Sequence, residues 1–164
     1  NTVVSDVSPM PPPTPTVVSA NPTDTPTTSI VSHPTENVTD KIAKQLTDKE
    51  LQDPFSADYL QSNDVMDAEL EYIKTALTTC TDPDEQFTLN FRYELVERNL
   101  NILVLRVQNE SLSLEGYLDL IKERLKRDQL MALYFKNNGD TAVALKIMKR
   151  IKIMTEELKN AEEG

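Results

Sequence analysis

The chain has 164 residues, a formal net charge of −10, one cysteine and no tryptophan. One His and one Cys cannot supply a zinc site, a Cys-His dyad or a Ser-His-Asp triad, and there is no Gly-rich phosphate loop. We therefore expect a non-enzymatic protein with no catalytic residues, metal or cofactor. No stretch approaches roughly 18 consecutive apolar residues, so no membrane span is predicted. The single Cys80 cannot form an internal disulfide, which fits a reducing cytosol or nucleus.

Residues 1–53 have the composition of a linker. The first 40 residues contain eight of the ten prolines and fourteen Ser or Thr, and no aromatic residue. Such a segment buries too little apolar surface to offset the entropy that ordering costs. We therefore predict a disordered Pro/Ser/Thr-rich linker over residues 1–53. The stretch PMPPPTP (residues 9–15) also fits a polyproline II ligand, which is an open alternative.

A helical period begins near residue 54 and predicts the first helix. Ser62 or Asn63 can cap its N-terminus, because short polar side chains accept hydrogen bonds from the first free backbone amides. Its apolar residues share one face at helical spacing. They are Val65, Leu70, Ile73 and Leu77.

The second predicted helix is the most apolar in the chain. Asp82 fits the N-cap, Pro83 the first helical position, and Glu85 the third residue of a capping box. One apolar face alternates steps of four and three residues, as in a heptad seam: Leu89, Tyr93, Val96, Leu100, Leu103 and Val107. A second apolar face contains Phe87, Phe91, Leu95, Ile102 and Leu105. Two apolar faces are typical of a helix at the centre of a bundle, so we predict this position, with the helix ending near Gln108.

The last two predicted helices form an antiparallel hairpin. Ser111 or Ser113 can cap the third helix, and Gly139 can end it in the left-handed conformation. Asp140 then caps the fourth helix, so Gly139 and Asp140 form a structural turn. The fourth helix has a core stripe of Ala144, Ile147, Ile151, Met154 and Leu158. We predict an all-α fold: a small antiparallel bundle of about four helices over residues 54–160, ending in this hairpin and acting as an interaction domain.

Positive charge is concentrated in the hairpin. Residues 122–152 contain nine Lys or Arg and three Asp or Glu, whereas the rest of the chain has a net charge of −16. Lys146, Lys149 and Arg150 stand at i, i+3 and i+4, which predicts a shared face. We predict a partner-binding surface made of Lys136, Lys146, Lys149, Arg150 and Lys152. The alternative is a solvated face whose cations pair only with acidic neighbours in the same fold.

An acidic protein surface is the simplest partner for such a basic hairpin. The sequence pI near 4.6 and the lack of a nucleic-acid-binding motif argue against DNA or RNA. Anionic lipid headgroups are a weaker alternative, because the apolar stripe of the fourth helix is expected to be used in the core. Membrane contact is therefore expected to be weak or indirect.

The chain also resembles the C-terminal helical tail of the Lethal giant discs family, also called the coiled-coil and C2 domain-containing family. The resemblance covers residues 54–158 and the linker. It rests on three segments: LQSNDVMDAELEYIKTAL, YELVERNLNILVLRVQ and EGYLDLIKERLKRDQLMALYFKNNGDTAVALKIMKRIKIMTEEL. The hairpin is similar to a repeated basic motif of that family. Its matching residues are Lys136, Gly139, Asp140, Ala144 and Arg150.

The resemblance implies a non-catalytic scaffold that regulates endosomal sorting. In the family, basic hairpins contact acidic helices of ESCRT-III subunits, and the protein is cytoplasmic with endosome association. This chain departs from the pattern, because it has one such hairpin outside a repeat array. Two alternatives stay open. The tail can dock on a C2 domain, or it can self-associate, with the heptad seam of the second helix pairing with a second copy to form a homo-oligomer.

Overall fold

The computed structural model of the chain describes residues 12–13 and 36–164. Residue contacts divide the chain into two units, Asn1–Pro34 and Thr35–Gly164, and all helices described below belong to the second. The predicted linker over residues 1–35, with its PMPPPTP stretch, lies outside the described residues apart from Pro12 and Pro13.

The described part of the chain is all α and has no strand, which confirms the predicted fold class. The four predicted long helices are present, and two short helices and one 3-10 turn precede them. Their bounds are α1 Val38–Ala43, α2 Asp48–Gln52, the 3-10 turn Ala57–Tyr59, α3 Asn63–Thr79, α4 Pro83–Gln108, α5 Leu114–Asn137 and α6 Thr141–Glu163. None of these helices combines the length and apolar composition that crossing a bilayer requires.

The linker prediction is wrong for residues 38–43 and 48–52, which form α1 and α2. Thr47 and Glu50 form a capping box at the start of α2: the Glu50 amide donates to Thr47 Oγ1 (3.2 Å), and the Thr47 amide donates to Glu50 Oε2 (2.9 Å). Ile42 and Leu46 are buried in the same cluster as Met131 of α5. Helices of five and six residues are too short to show a hydrophobic period. Tertiary packing, rather than a local sequence pattern, stabilises them.

The starts of α3 and α4 are as predicted, except for one side chain. Ser62 caps α3 by accepting from the Val65 amide (3.1 Å), and Asp82 caps α4 with Pro83 at its first position. The predicted capping box of α4 does not form, because the Glu85 carboxylate instead accepts a hydrogen bond from Cys80 Sγ (3.3 Å). Burial raises the pKa of the Cys80 thiol, and the Glu85 carboxylate raises it further, so the thiolate is disfavoured.

The predicted turn between α5 and α6 is confirmed. Ser113, not Ser111, caps α5. Gly139 has φ +81°, a left-handed conformation that side chains with a Cβ adopt only with strain. The next residue, Asp140, caps α6 by accepting from the Val143 amide (3.3 Å). Helices α5 and α6 therefore run antiparallel and are joined by a turn of three residues.

Two helical hairpins, α3–α4 and α5–α6, pack against each other through α3 and α6, and α1 packs on α5. Their side chains form one core cluster shared by the four long helices and a second cluster under α1 and α2. The predicted core stripe of α6 is confirmed, since Ala144, Ile147 and Met154 are buried and Ile151 and Leu158 pack against them. The fully buried hydrophobic residues of the first cluster are Met66, Val96, Ile121 and Met154, and those of the second are Met131 and Ile147.

A polar cluster also joins the two hairpins. The hydroxyls of Ser62 and Tyr117 both donate to the carboxylate of Glu157, and Tyr117 Oη accepts from the Asn63 amide (2.8 Å). Burial, and then the Glu157 carboxylate, raise the pKa of the Tyr117 phenol. The cluster therefore ties the N-terminus of α3 to α5 and α6 with groups that satisfy one another.

The prediction that α4 is the central helix is wrong. Its heptad seam packs inward, with Val96 and Leu103 buried. Its second apolar face is open: Phe87 is 73% exposed and Phe91 56% exposed. Among the described elements, α4 makes its main contacts with α3 and the 3-10 turn, so only one of its two apolar faces is covered.

Candidate interaction surface

Arg150 does not belong to the predicted surface. It follows Ile147 by three residues and precedes Met154 by four, so helical geometry places it on the inner face of α6. Its side chain is 7% exposed and makes a bidentate ion pair with Asp128 of α5, through Nη2 to Oδ1 (2.7 Å) and Nε to Oδ2 (2.5 Å). It also donates to the Pro54 carbonyl (3.3 Å). The prediction that it shares an exposed face with Lys146 and Lys149 is therefore wrong.

Two more arginines of the basic segment are used inside the fold. Arg124 Nε donates to Asp128 Oδ1 (2.8 Å), and its guanidinium lies 4.7 Å from the centre of the Tyr59 ring. Arg124 also reaches Glu50 Oε1 (3.3 Å), and Arg127 Nε binds the same oxygen (2.7 Å). These contacts form a charge network of five residues that joins α2, α5 and α6: Glu50, Arg124, Arg127, Asp128 and Arg150.

The network holds Glu50 in its ionised form. Glu50 is 3% exposed, and burial alone would raise its carboxyl pKa. Hydrogen bonds from Arg127 and from the amide and hydroxyl of Thr47 outweigh burial and lower the pKa from 4.5 to about 2. This buried carboxylate with several donors is therefore one of the contacts that attach α2 to α5.

The cations that remain in the hairpin are lysines, and they face solvent. Lys146, Lys149 and Lys152 are all exposed on α6. Steps of three residues turn a helix by about 300°, so these side chains fan around the outer half of α6 at intervals of about 60°. Leu145 and Met148 are exposed beside them, at 55% and 53%. We call these five residues the lysine face.

The surroundings of the lysine face leave its charges available. Lys146 Nζ lies 5.6 Å from the centre of the Phe55 ring. Lys152 has one carboxylate neighbour, Glu156 at 3.9 Å, in a solvent-exposed pair that binds weakly. Lys136 is exposed near the end of α5, beside the Gly139 turn and apart from the α6 lysines in sequence. The structure thus keeps Lys136, Lys146, Lys149 and Lys152 on the surface and removes Arg150 from it.

The chain matches no protein-family model, and no curated protein or solved structure is significantly similar to it. Within residues 36–164, no group of three or more His, Cys, Asp or Glu is placed to hold a metal ion.

Sequence reasoning missed the two carboxylates that bind the arginines. Glu50 lies in the predicted linker, although Thr47-x-x-Glu50 is the capping-box pattern that marks a helix start. Asp128 lies on α5 four residues after Arg124, a spacing that predicts an ion pair on one helix. No local signal pairs Asp128 with Arg150, because that contact depends on the antiparallel packing of α5 on α6.

Proposed function

We propose that the chain is a non-catalytic helical interaction module that binds an acidic, partly apolar protein segment through the lysine face. One observation carries the proposal: once Glu50 and Asp128 have bound the arginines, the exposed cations of α6 are lysines that lie beside exposed Leu145 and Met148. The lysines select an acidic partner and accelerate association, and the apolar side chains supply contact area. An amphipathic acidic helix offers both kinds of group.

The resemblance to the Lethal giant discs family supplies a candidate for that partner. We propose the acidic helices of ESCRT-III subunits, and with them a role as a cytoplasmic, endosome-associated scaffold. In this chain the arginine of the family's repeated motif, Arg150, binds Asp128 within the hairpin. Contact with the partner is therefore assigned to the lysines, and Arg150 positions the helix that presents them.

Charge reversal of the lysine face tests the proposal. The variant Lys146→Glu, Lys149→Glu, Lys152→Glu should lose at least about tenfold in affinity for purified ESCRT-III subunits, measured by fluorescence anisotropy. Its circular dichroism should be unchanged, because all three side chains are exposed. Equal binding by the wild type and this variant would refute the proposal.

A matched control separates the surface from net charge. The control is charge reversal at three other exposed lysines: Lys41 on α1, Lys44 at the end of α1, and Lys74 on α3. This variant has the same net charge as the first and should bind with nearly unchanged affinity. Sedimentation with anionic liposomes at low salt tests the lipid alternative. A chain that sediments with liposomes but binds no ESCRT-III subunit would replace the protein partner with a membrane surface.

A further inference from the structure

The outward side of α4 is an apolar surface that no described element covers. Phe87, Phe91, Ile102 and Leu105 are between 49% and 73% exposed. At about 100° per residue, these four positions fall within an arc of about 60°, roughly opposite the buried Val96 and Leu103. They are four of the twelve large exposed hydrophobic residues of the described chain. This concentration marks an interaction surface rather than scattered exposure.

Two opposite charges stand in the middle of this surface. Glu94 and Arg98 are exposed and lie on the same side of α4 as the four apolar residues. From its N-terminal end, this side of α4 therefore presents two aromatic residues, an acid, a base and two aliphatic residues. We call these six residues the outer face of α4.

The outer face is complementary to itself when a second copy runs antiparallel. Phe87 and Leu105 lie nine residues on either side of Val96, and Glu94 and Arg98 lie two residues on either side of it. A two-fold axis at Val96 therefore sets each Glu94 against the Arg98 of the other copy. It also brings the aromatic end of each helix onto the aliphatic end of the other. A parallel pairing would instead oppose like charges, Glu94 with Glu94 and Arg98 with Arg98.

We propose that two copies of this chain associate as an antiparallel, two-fold symmetric dimer through the outer face of α4. Symmetric contacts in which the same patch serves both copies are the commonest way in which proteins self-assemble. The central charge pair fixes orientation and register at some expense of affinity, as polar residues do at coiled-coil seams. The heptad seam of α4 is not the contact, because its central residues Tyr93, Val96, Leu100 and Leu103 already pack in the core of their own chain.

The size of the surface predicts a weak, reversible dimer. If a fully exposed aromatic side chain has about 200 Å² of surface, the four apolar side chains of the outer face expose on the order of 400 Å² per copy. With the flanking polar side chains, the total lies at the lower end of specific interfaces. We therefore expect a dissociation constant on the order of 10 μM.

A charge-swap series on the full chain tests this proposal by sedimentation equilibrium over a wide range of protein concentration. The wild type should show a monomer–dimer equilibrium. Arg98→Glu and Glu94→Arg should each weaken it by at least about tenfold, because each opposes like charges across the axis. The double variant Glu94→Arg, Arg98→Glu should restore it, since the pairs form again with their signs exchanged. Phe91→Ser should also abolish the dimer.

The control is Glu97→Arg, the same change of charge on another side of α4, and it should leave the equilibrium within about threefold of the wild type. Circular dichroism should show every variant folded, because the substituted side chains are exposed. A wild type that stays monomeric at every concentration would overturn the proposal. So would a dimer that survives all the substitutions, or a double variant that fails to restore what the single variants lose.

Discussion

Removal of the Asp128 carboxylate should be the most damaging single substitution in the charge network. Asp128 is fully buried and accepts from both Arg124 and Arg150, whose side chains are 7% exposed. Asp128→Ala leaves these guanidinium groups facing each other without their shared counter-charge. Breaking a buried pair in this way costs about 3–5 kcal/mol. Arg150 keeps the Pro54 carbonyl and Arg124 keeps Glu50, so we expect the lower part of that range.

Urea denaturation followed by circular dichroism measures this loss directly. In thermal unfolding it corresponds to a fall in Tm of roughly 10–20 °C for a domain of this size. Glu123→Ala is the matched control on the same helix. It removes an ion pair with Lys126 in which both side chains are 70% exposed, and should change the free energy of unfolding by less than about 0.5 kcal/mol. Asp128→Asn, which keeps an acceptor oxygen, should lie between the two.

The reasoning would be refuted if Asp128→Ala were as stable as Glu123→Ala. That result would mean that solvent or a local rearrangement compensates the arginines, and that the network does not attach α6 to α5. If Asp128→Ala does not fold, Asp128→Asn carries the comparison, and an Asn variant equal to the wild type would contradict the account.

Three further perturbations test other parts of the structure by denaturation. Glu50→Gln should lower the free energy of unfolding by about 3 kcal/mol at pH 7, because the pKa of Glu50 is depressed to about 2 in the folded state. The difference between the variant and the wild type should shrink as pH falls from 4.5 toward 2, since protonation of Glu50 removes the stabilisation. A difference that does not change with pH would contradict this. Gly139→Ala should cost about 1 kcal/mol through φ alone, whereas no cost would argue against the left-handed turn. Tyr117→Phe should cost about 1–2 kcal/mol, because the Asn63 amide loses its acceptor and Glu157 loses one of its two hydroxyl donors.

The long helices could be predicted because their signals are local. Asp82-Pro83 and Gly139-Asp140 define helix ends within a few residues, and the stripe of α6 repeats over several turns. By contrast, α1 and α2 depend on burial of Ile42 and Leu46 against helices far along the chain. Their short sequences do not contain that information, and the one local signal, the Thr47-x-x-Glu50 capping box, marks the start of α2 but not its burial.

The predicted surface was wrong at one residue. The spacing of Lys146, Lys149 and Arg150 correctly places them on neighbouring positions of one helix. Arg150 also lies three residues after Ile147 and four before Met154, so the predicted core stripe itself marks it as the inner edge of that group, where it meets Asp128. The two apolar faces of α4 were likewise visible in sequence, but the number of neighbours available to cover them was not.

The measurement that tests the central claim most directly is titration calorimetry of the whole chain with purified ESCRT-III subunits at about 0.05 M and about 0.5 M salt. The account predicts binding at low salt that weakens strongly at high salt, because screening reduces the attraction between exposed lysines and an acidic partner. Binding that is indifferent to salt would contradict the lysine face as the contact. Absence of binding at both concentrations would contradict the proposed partner.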